Sequence, residues 1–229
     1  MKGKQLFALV LVCLLAIFCC GCKTDEEKAA EQAQANWNQA SNEQRVSIYC
    51  ALVKEYMILV ERLGEDTPYP AMKRSVKGSM MSDGLTQEEA IEKAKKYLLE
   101  EQAVFWRAEQ DGVKISDSSL KSYIQQNIIS KVAQEEDYIT VSKACEKEGI
   151  TFEDTIWAYK DSYKVDCIKD TVGIKSPEQM EEYKKAALER FKESEEYRDY
   201  QEVLETCADL IRKNITNQED LKEADIYYE

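Results

Sequence analysis

Apolar positions along the chain fall into helical repeats separated by glycine, proline and capping residues. Tyr49, Leu52, Val53, Tyr56, Met57, Val60 and Leu63 recur at three and four residues, predicting an amphipathic helix that stops at Gly64. Thr86 with Glu89 three positions on forms a capping box, and Ile91, Ala94, Leu98, Phe105 and Ala108 mark one face of a long helix ending near Asp111 and Gly112. Ser116 and Asp117 open another, striped by Leu120, Ile124, Asn127 or Ile128, and Val132. A short helix follows from about Asp137 to Glu148, closed by Gly149. Thr151, with Asp154 as capping partner, opens a fifth, on which Phe152, Ile156, Tyr159 and Tyr163 share a side. Ser176 and Pro177 then start a last helix, proline taking the first helical position, where its missing donor costs nothing. Met180, Tyr183, Phe191, Tyr200, Leu204, Cys207 and Ile211 mark its inner face, so a single helix is expected over residues 176–215, followed by an acidic tail, 216–229.

Two stretches carry no such stripe. Residues 22–45 are polar, with almost no apolar side chain larger than alanine except Trp37, and suggest a tether, helical in part. Gly64 to Gly84 holds two prolines, three glycines and the methionines Met72, Met80 and Met81, and is expected to be irregular. Strand-like alternation is nowhere sustained, and good helix formers dominate between the breaks. The pattern therefore predicts an all-α fold: a helical domain over 46–175 and a last helix too long for one small domain to cover, part of it packed against the first helix or exposed.

The N-terminus has a different pattern. Lys2 and Lys4 precede LFALVLVCLLAIFCC, a charge-free run of fifteen residues, too short for a stable span of about 20 and laid out as a secretory signal. Gly21 and Cys22 follow, then KTDEE. This resembles a bacterial lipoprotein signal, in which a small residue precedes a cysteine that is acylated and becomes the new N-terminus. Cys19 and Cys20 depart from that pattern, which usually has leucine and then a small residue. The resemblance implies removal of residues 1–21, lipidation of Cys22 and an extracytoplasmic, membrane-anchored chain; an uncleaved anchor is the alternative.

Charge and composition narrow the functions. Loss of residues 1–21 removes Lys2 and Lys4, leaving 29 basic against 44 acidic residues, a net charge of −15. That surface disfavours nucleic acid and anionic headgroups, so membrane attachment would rest on acyl chains. The chain has no histidine, which removes Ser-His-Asp, Cys-His and histidine general-base mechanisms, and no glycine-rich phosphate loop is present. No metal or cofactor is expected. Cys50, Cys145, Cys167 and Cys207 allow three disulfide pairings if oxidised, and each also falls on or near an apolar stripe where a buried thiol would sit.

The order of the elements carries a further resemblance. TQEEAIEKAKKYLLEEQAVFWRAEQDGVKISDSSLKSYI, Thr86 to Ile124, and EKEGITFEDTIWAYKDSYKVDCI resemble the N-terminal domain of SurA- and PrsA-type isomerase chaperones and the related C-terminal domain of trigger factor. The likeness covers about residues 46–172 and implies a long C-terminal helix packing back on that domain. It implies a non-catalytic, ATP-independent holder of unfolded or exported polypeptides, because the parvulin isomerase domain of those families, with its histidines, has no counterpart here. Met72, Met80, Met81, Trp106, Tyr138 and Trp157 are the candidate peptide-binding residues on that view. A lipoprotein subunit that binds one partner through its last helix is the competing expectation, and an enzyme using carboxylates alone ranks third. Replacing the anchor residue tests the address: Cys22→Ala should move the protein from the membrane fraction to the medium, and retention on the membrane would point to an uncleaved anchor.

Overall fold

The computed structural model describes residues 23–132 and 137–215; the expected signal, Cys22 and the acidic tail lie outside the described residues. Within that span every regular element is a helix. In chain order these are α1 (Asp25–Gln39), α2 (Asn42–Leu63), α3 (Tyr69–Ser82), α4 (Gln87–Gln110), α5 (Asp117–Ile124), α6 (Asp137–Glu148), α7 (Phe152–Trp157), α8 (Lys160–Thr171), α9 (Pro177–Phe191) and α10 (Glu195–Ile215). After α5 the chain continues through a π-helical turn, Gln125–Ile129, into a last turn, Ser130–Val132.

Local chemistry sets most boundaries. Capping boxes open α1 at Thr24, α2 at Ser41, α4 at Thr86, α7 at Thr151 and α9 at Ser176, each pairing two otherwise orphaned backbone donors. Gly84, between α3 and α4, has a positive φ of 66° and lies against α1, where an added Cβ would come within 2.8 Å of the Gln34 Cβ. Only glycine meets both demands.

Helix α4 is the hub. Its Ala90, Ile91, Ala94 and Leu98 pack with Tyr69, Met72 and Val76 of α3 and with Leu204, Cys207, Ala208 and Ile211 of α10. Farther along, Val104 and Ala108 meet Val165 and Ile168 of α8 and Met180 of α9. Ala103 faces Ala187 and Phe191 of α9. Two satellite clusters complete the core. One joins α2 to α6 through Cys50, Val53 and Cys145, and the other joins α5, α7 and α8 through Leu120, Ile124, Phe152, Ile156 and Cys167.

Three expectations are corrected. Residues 25–39, expected within a partly helical tether standing off the domain, form α1, which docks on α3 with Ala30 buried, while the Gln34 side-chain amide donates to the Asp83 carbonyl (2.9 Å) and Glu26 accepts from the Gln87 backbone amide (3.0 Å). The stretch expected to be irregular contains α3, opened by Pro68 and Pro70 at its first turn, with Met72 fully buried. The single last helix is two. Ser194 ends α9 by donating its hydroxyl to the Phe191 carbonyl (2.8 Å) and accepts from the Tyr197 amide (3.1 Å) in the first turn of α10. A straight helix of nearly forty residues would run about 60 Å, past any small domain. The break instead turns α10 back across α3 and α4, and α9 lies along α4.

Phe191 anchors that turn, fully buried and edge-on to Tyr197 at 5.5 Å. Phe191→Ala should destabilise the protein by about 3–5 kcal/mol, read as a lower midpoint in urea with unchanged slope.

Candidate functional site

A cleft of about 390 Å³ opens between α2, α3, α4 and the start of α8, with Trp37 of α1 on its lining. Its apolar walls come from Ile48, Tyr49 and Leu52 of α2, Ala71 and Met81 of α3, and Leu98 of α4, with Tyr159 beyond α7. Gly78 leaves the α3 wall bare, since nothing lies within 4 Å of where its Cβ would be.

The floor is polar and ordered. The Arg74 guanidinium stacks 3.9 Å from the Tyr159 ring centroid and 4.6 Å from that of Tyr56, and donates to the Ala158 carbonyl. Tyr159 in turn stacks on Tyr49, centroids 5.7 Å apart and planes 12° from parallel. The cation is thus held between two rings, its charge fixed without a carboxylate partner in the stack. Opposite it, buried Glu101 accepts from the Tyr97 hydroxyl (2.6 Å) and from the Ser162 hydroxyl (3.1 Å). Burial pushes the Glu101 carboxyl above its ordinary range, against the lowering effect of the Tyr97 hydrogen bond. Burial and then the Glu101 charge push the Tyr97 phenol up as well, which keeps it a donor. Glu101 and Asp161 also border a second cavity of about 300 Å³ on the far side, toward Tyr56 and Lys160.

A carboxylate, with the Ser162 and Tyr97 hydroxyls on it, and a guanidinium line an apolar cleft, and among the described residues no group of three or more metal-ligating side chains is placed to hold an ion. Among the described residues no helix is long and apolar enough to cross a membrane.

The residues picked from the sequence do not converge on one groove. Met81 lines the cleft, but Met80 is half-buried against the α3, α4 and α10 core and Met72 is enclosed by it. Trp106 packs on Phe191 at 5.7 Å, Tyr138 lies edge-on to Phe152 at 5.0 Å, and Trp157 belongs to the cluster of α5, α7 and α8. Arg74, Tyr97, Glu101 and Tyr159 went unpredicted. Tyr97 and Glu101 are four apart on α4, a spacing that places them together, but nothing in the sequence says which of many such pairs is buried.

A second, more open groove of about 750 Å³ runs beside α10, where Leu63, Val203 and Leu210 are 54%, 42% and 43% exposed. Compared with protein-family models, curated proteins and solved structures, the chain gives no significant match to any of them.

A carboxyl whose pKa is raised by folding supports the fold below its unfolded value and loses that contribution as pH rises through the folded value. Glu101→Gln retains an acceptor for Tyr97 and Ser162 without the charge. The variant should therefore gain stability relative to the parent between pH 4 and pH 8 in chemical denaturation, and a difference that does not vary with pH would refute the assignment.

Proposed function

We propose that this protein is a membrane-anchored extracytoplasmic lipoprotein that holds unfolded or exported polypeptides without catalysis, lodging their apolar and aromatic side chains in the cleft of Tyr49, Leu52, Met81 and Tyr159. The observation that carries this reading is an apolar cleft with a fixed polar floor, which offers side-chain burial above and hydrogen-bonding groups for peptide backbone below. The resemblance of residues 46–172 to the SurA-type helical domain supports it, and the all-helical architecture is compatible with that fold. One or two client side chains buried at about 1.5–3 kcal/mol each give weak capture, so release needs no energy source. A net charge of −15 would keep the holder soluble and favour basic clients.

A second reading rests on the groove beside α10. Leu63, Val203 and Leu210 are exposed together there, as an interface for a single membrane-complex partner would require.

Dilution of a chemically denatured test protein into buffer with a few-fold excess of this chain separates the two. Capture by the cleft predicts suppressed aggregation, lost in large part in Met81→Asp and kept in Leu210→Asp, with helical circular dichroism unchanged in both. Unaltered aggregation with the parent chain overturns the holdase reading. The partner reading predicts one stoichiometric crosslinked product that Leu210→Asp abolishes.

A further inference from the structure

Of the four described cysteines, two meet. Cys50 on α2 and Cys145 on α6 have their sulfurs 3.5 Å apart, both fully buried, although 95 residues separate them in sequence. Cys167 and Cys207 lie in different clusters, the first with α5 and α7 and the second with α3 and α4. Around the pair the packing is apolar, with Val53, Ile150 and Ala158 in the same cluster and Tyr49 and Tyr56 against it. A disulfide needs about 2.05 Å between sulfurs, so side-chain rotation closing the remaining gap would suffice, with the two helices already packed.

We propose that Cys50 and Cys145 form a disulfide that fastens α6 to α2 and leaves Cys167 and Cys207 as thiols. The bond forms by exchange with an external disulfide, of a small thiol compound or an oxidoreductase. One cysteine thiolate attacks that disulfide and expels a thiolate; the second cysteine then displaces the other half. The external disulfide takes up two electrons and the two cysteine protons and leaves as two thiols, while the Cys50–Cys145 bond forms. Burial, then the neighbouring sulfur, pushes the Cys50 thiol up to about 12, and burial raises that of Cys145. With few thiolates and no accessible surface, exchange in the closed fold is slow in both directions. It therefore proceeds during folding, or when α6 opens from its main neighbours α2 and α7. This inference stands apart from the holdase reading and succeeds or fails independently of it.

Peptide mapping of the full chain in detergent is the direct test. The chain is equilibrated with oxidised and reduced glutathione in mild urea, alkylated and digested with trypsin. The expected product joins the peptides VSIYCALVK and ACEK, residues 46–54 and 144–147, at about 2 Da below their summed mass. Alkylation of both Cys50 and Cys145, or a crosslink that uses Cys167 or Cys207 instead, overturns the proposal. The oxidised chain should also melt roughly 10 °C above the reduced one, as closure of a loop this long predicts. Cys50→Ala should erase that difference, and equal melting of the oxidised and reduced parent counts against the bond.

Discussion

Close approach of helices to α4 is the contact on which the rest of the molecule depends. Ala90, Ala94, Ala103 and Ala108 are all buried on that one helix, and they face different neighbours: α3 and α10 on one side, α8 and α9 on others. Small side chains let several helices pack near the same axis, while Ile91, Leu98 and Val104 fill the space between them. Without a hub of that kind, a short helix such as α8 would have little to bury against. Helices of six or twelve residues do not persist on propensity alone.

The cleft follows from this geometry. α3 is drawn onto α4 near its start, and α8 joins α4 farther along, so a gap remains above Glu101 that the main core does not fill. Polar groups left in that gap have to be satisfied internally. Tyr97, Ser162 and Glu101 hydrogen-bond one another, and Arg74 is held by two aromatic faces and a carbonyl, with further guanidinium N–H donors to spare. Such a floor resists rearrangement, because breaking any one contact strands a buried partner.

Helix positions and starts were largely legible in the sequence. The Thr86, Ser116, Thr151 and Ser176 caps lie where read, and α2 stops at Gly64 as expected, although its buried residues are Ile48, Cys50 and Val53, and Leu63, read into the inner stripe, is exposed. Failures have identifiable causes. α1 is so poor in large apolar residues that its amphipathicity is carried by alanines and one tryptophan, a pattern that also describes a solvated linker. α3 was hidden by prolines that sit at its entrance rather than in its interior, and by Gly78, which the helix tolerates. Ser194, followed by two glutamates, was a start signal inside a run otherwise read as continuous. The cleft was the least legible feature. Its polar residues come from α3, α4 and the α7 to α8 region, and only the packing of these elements brings them together.

Docking of α1 changes what attachment at the N-terminus would mean. For a chain anchored at Cys22, only Lys23 and Thr24 separate the anchor from a helix fastened to the body at Gly84 and Asp83. Two extended residues reach about 7 Å, against the many tens of ångströms a free segment of two dozen could sweep. A leash becomes a mount. The face carrying Trp37 and the cleft would then hold a set height and heading above the bilayer, and on the proposed holdase reading polypeptides would meet it from a restricted direction rather than from any side.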